Sequence, residues 1–87
     1  RRAARLPQIL RETADAVVAK GLNEALENGR KSLENAGFAR VDYLEIRHGR
    51  TLALPAVQES LDGHRLFVAA WMGKTRLIDN IPCASTF

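Results

Sequence analysis

Cysteine and long apolar runs are both scarce in this sequence, and each scarcity excludes a class of protein. Cysteine occurs once among 87 residues, as Cys83, so no internal disulfide can form and a disulfide-stapled scaffold is excluded. A lone thiol is typical of a reducing compartment, which predicts a cytoplasmic protein. No apolar run approaches the roughly 18 residues of a membrane-spanning helix, so we expect no membrane partner.

Positive charge exceeds negative charge by three, but most of the excess lies at one end of the chain. Arg1, Arg2, Arg5 and Arg11 all precede the first acidic residue, Glu12, whereas the remaining chain has nine basic and ten acidic residues. A nucleic-acid-binding domain usually carries a basic stripe across its folded face. We therefore expect no nucleic-acid partner, although a stand-alone module that binds nucleic acid or protein remains the alternative.

The first residues indicate a piece of a longer protein. The chain begins Arg1-Arg2-Ala3-Ala4-Arg5, with neither an initiator methionine nor the apolar stretch of a signal peptide. At 87 residues the chain has room for one small domain and one core.

Two stretches with apolar residues at steps of three and four predict amphipathic helices. The first covers residues 2–20, and Pro7 places the start of its regular part near Leu6 because proline is tolerated in a first turn. The second runs from about Asn23 to Ala36. Gly37 then follows as a C-terminal stop.

Three short segments predict strands: Val41–His48, Arg65–Met72 and Thr75–Ile81. The second is apolar on both faces, which is typical of a central strand. A two-residue loop of Gly73 and Lys74 favours a type II′ hairpin. We expect Pro82 to close the last strand. Residues 51–61 predict a loop with a single helical turn at 57–60, and Asp62-Gly63 predicts a turn.

These elements predict an α+β fold, with two N-terminal helices packed on a small three-stranded, mainly antiparallel sheet. The hairpin register sets Trp71 opposite Arg76, where the guanidinium can rest on the indole ring. One sheet face should pack on the helices, with Leu44, Ile46, Leu66, Val68, Ala70 and Leu77. The opposite face should be partly exposed, with Tyr43, Phe67, Trp71 and Ile78.

The residues that could carry chemistry form no recognisable catalytic set. Gly73-Lys74-Thr75 matches the end of a phosphate-binding P-loop, but Val68 stands where that motif needs glycine. Asp42 and Glu45 are three positions apart on a strand, so we expect them on opposite faces. The pair Asp79-Asn80 is expected to satisfy buried backbone groups or to end strand pairing.

His48 and His64 stand in no spacing typical of a metal site or of a catalytic pair with Cys83, which we interpret as a terminal residue without a role. We predict that this chain carries no catalytic, substrate-binding or metal-binding residue.

A longer pattern resembles the C-terminal end of the pantothenate synthetase (pantoate–β-alanine ligase) family. Its most specific part is Arg76-Leu77-Ile78-Asp79-Asn80 after the Val-Ala-Ala strand. Gly37-Phe38, the segment Val41–Ile46, Thr51-Leu52 and the opening helix with its early proline are also similar to that family, in the same order. The resemblance covers essentially the whole chain.

The resemblance implies that residues 1–87 are a single C-terminal lid domain of a larger two-domain enzyme, without its nucleotide-binding N-terminal domain. That family activates pantoate with ATP and magnesium to pantoyl adenylate, and β-alanine then attacks to give pantothenate, AMP and pyrophosphate. Its recognised ATP-binding loops do not occur here, so no catalytic residue is carried over and the fragment alone should be inert. The implied partners are the absent domain, through which the parent forms a homodimer, and the three substrates.

The basic segment Arg1–Arg11 lies at the implied junction with that absent domain. It is either a segment close to the phosphate charge of the active site or an ordinary solvated helix.

Overall fold

The computed structural model of the chain describes residues 5–52, 54 and 63–83. The elements are helices α1 (Leu6–Lys20) and α2 (Leu22–Asn35), and strands β1 (Arg40–His48), β2 (His64–Met72) and β3 (Thr75–Pro82). The strands form one antiparallel sheet in the order β1-β2-β3. The predicted α+β fold is therefore confirmed, with β2 as the central strand. The helical turn expected at 57–60 and Asp62 of the expected turn lie outside the described residues.

Local chain chemistry sets the ends of both helices. α1 begins at Leu6 with Pro7 in its first turn, as predicted. α2 ends in a Schellman motif, in which Gly37 donates to the carbonyl of Glu34 at 3.1 Å and Phe38 donates to that of Leu33 at 3.0 Å. Gly37 has a φ of 104°, which a residue with a side chain rarely adopts. The motif turns the chain so that Phe38 enters the core, where it is 1% exposed.

The β2–β3 hairpin has the predicted register. Met72 pairs with Thr75 and Trp71 pairs with Arg76. Gly73 has a φ of 63° while Lys74 has a negative φ, which fits a type II′ turn. The hairpin accounts for Gly73-Lys74-Thr75 as a turn and the start of a strand.

One core lies between the helices and a single face of the sheet. The residues predicted to face the helices all belong to it or pack against it: Leu44, Ile46, Leu66, Val68, Ala70 and Leu77. The helices contribute Leu6, Ile9, Leu10, Ala14, Val17, Ala25 and Leu33. Full burial of a leucine or isoleucine side chain contributes about 1.5–3 kcal/mol to folding. The domain therefore has a core of its own.

Cys83 also belongs to this core, which corrects its interpretation as a terminal residue without a role. It is 4% exposed, and its backbone N–H donates to the carbonyl of His64 at 3.1 Å. Although Pro82 is the last residue of β3, this bond continues the pairing one residue further and carries the thiol into the interior.

Candidate functional site

The sheet face opposite the helices, here called the open face, is the surface that no described element covers. Tyr43, Phe67 and Trp71 are half-buried on it, and the side chain of Ile78 is 62% exposed. The predicted placement of these four residues is confirmed by the alternation of the strands. Such a cluster of partly exposed apolar side chains is typical of a surface that contacts another body.

A β-bulge in β1 places Asp42 on the open face. The pairing of β1 with β2 shifts between Val41, which pairs with Ala70, and Tyr43, which pairs with Ala69. Asp42 is the extra residue in this interval, and a bulge redirects the side chain of such a residue. Asp42 and Glu45 therefore lie on the same face, and the expectation that they point to opposite faces is wrong because it assumed unbroken alternation.

On the open face, Asp42 accepts hydrogen bonds from one side chain on each of the three strands. Its Oδ2 atom accepts from Nε1 of Trp71 and from Nε of Arg76, each at 3.0 Å, and its Oδ1 atom accepts from Nε of Arg40 at 3.0 Å. The hydrogen bond from Trp71, followed by those from the two arginines and the charge of Arg40, lowers the pKa of the Asp42 carboxyl below its usual value. We call these four residues, Arg40, Asp42, Trp71 and Arg76, the Asp42 cluster.

Arg40, rather than Arg76, stacks on the indole ring. The Cζ atom of Arg40 lies 5.0 Å from the centre of the Trp71 ring, within the range of a cation–π interaction. Arg76 and Trp71 are cross-strand neighbours, as predicted. The prediction that the Arg76 guanidinium rests on the indole ring is wrong, because Arg40 occupies that position. The carboxylate of Asp42 draws the Arg76 guanidinium to itself, since a charge-assisted hydrogen bond is stronger than stacking on an exposed ring.

The remaining charges of the open face are only partly compensated. Arg47 donates to Glu45 at 2.9 Å, whereas Arg65 donates to the neutral amide oxygen of Asn80 at 2.6 Å. Among the described residues, the open face thus holds four arginines and two carboxylates. This local excess is not visible in the order of charges along the sequence, because the residues come from three separate strands.

The hydrogen bonds of Asp79-Asn80 are exposed, so they do not satisfy the buried backbone groups that we expected. A carboxylate oxygen of Asp79 accepts the backbone N–H of Asn80 at 2.7 Å, and the Asn80 side chain holds Arg65. Strand pairing does not end here, since β3 continues to Pro82.

The two histidines meet at the other end of the sheet, which their sequence spacing did not indicate. The ring centres of His48 and His64 lie 5.2 Å apart, edge to face. Nδ1 of His48 accepts the backbone N–H groups of Arg50 at 3.1 Å and Thr51 at 3.4 Å. The His48 ring therefore anchors the turn after β1, which is a structural use of its nitrogen atom.

Two groups among the described residues, Cys83 and Asp42, are poorly suited to covalent or acid–base chemistry. Burial raises the pKa of the Cys83 thiol to about 11, so the nucleophilic thiolate is scarce near neutral pH. Asp42 is a weak base because three donors stabilise its charged form. Over residues 5–52, 54 and 63–83, no group of three or more histidine, cysteine or acidic side chains could hold a metal ion. The prediction that the chain has no catalytic or binding residue stays a prediction.

The structure describes only part of the basic N-terminal segment. In the basic N-terminal segment, Arg5 and Arg11 are exposed, while Arg1 and Arg2 lie outside the described residues. None of the helices in the described part is long and apolar enough to cross a membrane.

Comparison with known proteins assigns this fold to a family. The model of the family described as pantoate-beta-alanine ligase matches residues 1–82. The pantothenate synthetase of Bradyrhizobium sp. (strain BTAi1 / ATCC BAA-1182) is 46% identical over 77 residues, which cover 87% of this chain and 26% of the relative. That of Paracoccus denitrificans (strain Pd 1222) is 44% identical over 81 residues, or 92% of this chain and 28% of the relative.

A third relative, the pantothenate synthetase of Pseudomonas savastanoi pv. phaseolicola (strain 1448A / Race 6), is 45% identical over 78 residues, or 87% of this chain and 26% of the relative. The matches thus span about a quarter of the length of these curated relatives. The chain belongs to the pantoate–β-alanine ligase family.

Proposed function

We propose that this chain is the C-terminal lid domain of an ATP-dependent ligase that joins pantoate to β-alanine. Pantoate reacts with ATP to give pantoyl adenylate and pyrophosphate, and the amine of β-alanine then displaces AMP to give pantothenate. The observation that carries the proposal is the family match over residues 1–82 of a chain that covers about a quarter of its relatives. A stand-alone binding module is not favoured, because the whole match is to a ligase family.

The described residues support a cover rather than a reaction centre. The core lies between the helices and one sheet face, and the open face leaves Ile78 and the half-buried aromatic rings available for contact. We assign the open face to the contact with the nucleotide-binding N-terminal domain of the longer protein, since the helices already cover the other face. That domain would hold ATP and its magnesium ion and would form the homodimer contact of a cytoplasmic enzyme.

A lid has a chemical purpose in this reaction. An acyl adenylate is hydrolysed when water reaches it, so a domain that closes over the site directs the intermediate to the amine. Such a domain must keep its own structure while it moves. Its separate core supplies that independence.

The proposal is tested by replacing the matched segment of the Bradyrhizobium relative with this chain. We expect the chimera to form pantothenate from pantoate, β-alanine and ATP, whereas the relative without the segment should lose most of this activity. The 87-residue chain alone should form none. A chimera that is folded and binds ATP but forms no pantothenate, or a chain that forms pantothenate alone, would contradict the proposal.

A further inference from the structure

The Asp42 cluster holds two guanidinium groups around a single carboxylate. Arg40 and Arg76 bind the two oxygen atoms of Asp42 through their Nε atoms, each at 3.0 Å. The cluster therefore carries one uncompensated positive charge. Lys74, exposed in the adjacent hairpin turn, adds a second. The end of the open face at the β2–β3 hairpin is consequently attractive to an anion.

Both guanidinium groups keep donors available for a ligand. Each guanidinium has five N–H groups, and the hydrogen bonds within the described residues use only the Nε–H of each. The side chain of Arg40 is 66% exposed and that of Arg76 is 39% exposed, so solvent reaches both. The paired terminal amino groups of arginine match the oxygen atoms of a phosphate group in spacing and charge.

The cluster is also held in place before any ligand arrives. Trp71 donates to Asp42 and supports the Arg40 guanidinium at 5.0 Å, and the bulge fixes the backbone of Asp42. An arginine that is already ordered loses less conformational entropy on binding than a free surface arginine. Arg47, on the same face, also has an arginine as its cross-strand neighbour, Arg65. It differs because it donates through Nε to Glu45 and through Nη1 to the carbonyl of Leu52, so fewer of its donors are left for a ligand.

We propose that Arg40 and Arg76 form a binding site for the phosphate groups of a nucleoside triphosphate or of pyrophosphate, with Asp42 and Trp71 as positioning residues. The choice of this ligand rests on the proposed function, because the reaction consumes ATP and releases pyrophosphate. When the lid closes, the two guanidinium groups would stabilise the charge of the leaving pyrophosphate. The site adds to the nucleotide-binding domain a contact that forms only in the closed state.

The site is tested in the 87-residue chain by titration with pyrophosphate, observed through the NMR signal of the indole N–H of Trp71. Trp71 is the single tryptophan, so the signal is unambiguous. We expect a saturable shift that Arg76→Gln and Arg40→Gln each weaken by about tenfold or more, as for the loss of a charge-assisted contact. Arg47→Gln is the matched control and should change the affinity by less than about twofold. The site would be overturned if pyrophosphate caused no saturable shift of this signal, or if Arg47→Gln weakened the affinity as much as Arg76→Gln does.

Titration with further ligands shows which kind of phosphate compound the site prefers. ATP and pyrophosphate should both shift the signal, and adenosine should not, if the phosphates are recognised. Binding of a short single-stranded oligonucleotide more tightly than pyrophosphate would overturn the assigned ligand. The spectrum of each variant also reports whether the domain is folded, so a loss of binding in a well-folded variant reflects the loss of the site and not of the fold.

A kinetic measurement separates this inference from the lid proposal. In the chimera with the Bradyrhizobium relative, Arg76→Gln should raise the KM for ATP or weaken inhibition by pyrophosphate by about fivefold or more, and leave the KM for β-alanine unchanged. An active chimera in which Arg76→Gln alters neither constant would overturn the site and leave the lid role intact. An inactive chimera whose isolated chain still binds pyrophosphate through Arg76 would contradict the lid role and leave the site intact.

Discussion

The indole N–H of Trp71 donates a 3.0 Å hydrogen bond to the carboxylate of Asp42, and this bond joins the bulge of β1 to the central strand. Because Asp42 also binds Arg76 on β3, one side chain connects all three strands on the face that the helices leave open. The bulge makes this connection possible, because it interrupts the regular alternation of side chains along β1 and directs the Asp42 side chain to the open face.

The first prediction concerns the acid dependence of stability. The pKa of Asp42 is lowered in the folded chain, so the stabilisation from its charge is present above the usual value of 3.8 and is lost as pH falls below it. Asp42→Asn should therefore lower the melting temperature at pH 7, and the difference from the native chain should shrink towards pH 2. Thermal unfolding followed by circular dichroism measures this.

Glu27→Gln is the control for that experiment, because Glu27 and Lys31 form an exposed pair at 3.8 Å within one helix. It should change stability by less than about 0.5 kcal/mol. A melting temperature of Asp42→Asn equal to that of the native chain at pH 7 would show that the cluster contributes nothing.

The second prediction concerns the close approach of the two helices at Gly29. A Cβ atom at this position would lie 2.6 Å from Oγ1 of Thr13 and 2.9 Å from Cδ2 of Leu44. Gly29→Ala should destabilise the domain by about 1–3 kcal/mol through overpacking, against a gain of about 1 kcal/mol in helix propensity. The exposed neighbour Asn28→Ala should be neutral or slightly stabilising. Urea unfolding measures both, and a more stable Gly29→Ala chain would contradict the packing described.

The third prediction concerns the reactivity of Cys83. Since burial raises the pKa of this thiol to about 11 from 9.0, the native chain should react with a disulfide reagent at pH 8 at least about a hundredfold more slowly than the unfolded chain. Stability should also fall as pH rises above 9, because the unfolded thiol loses its proton first. Cys83 is the single cysteine, so the reaction reports on it alone. Equal rates in buffer and in guanidinium chloride would contradict its burial.

The fourth prediction tests which face of the domain meets the rest of the protein. Ile78 on the open face and Val18 on α1 are similarly exposed, at 62% and 67%. Ile78→Thr and Val18→Thr should each change the stability of the isolated chain by less than about 0.5 kcal/mol. In the chimera, Ile78→Thr should lower kcat severalfold and Val18→Thr should not. If Val18→Thr lowered kcat and Ile78→Thr did not, the contact would lie on the helices instead of the open face.

The fold could be predicted in outline because local signals agreed with one another. Pro7 fixed the start of α1, Gly37 fixed the end of α2, and the Gly73-Lys74 turn set every pair of the β2–β3 hairpin. The burial of alternate residues then followed from period two in the strands.

The Asp42 cluster could not be predicted, because it depends on one irregularity. A bulge is an extra residue in one strand, and nothing in the letters around Val41 and Tyr43 distinguishes it from regular pairing. The cation–π partner of Trp71 was misassigned for the same reason, since Arg40 and Asp42 reach the ring only across β1 and β2. Cys83 was misread because a backbone bond to His64 carries the chain past Pro82.

The most direct test of the lid role is the fate of the adenylate in the chimera that contains this chain. AMP and pantothenate are measured together, first with β-alanine and then without it. We expect about one AMP for each pantothenate and slow AMP release when the amine is absent, because the closed domain keeps water from the intermediate. If AMP release is as fast with this segment in place as in the relative lacking it, the domain does not act as a lid.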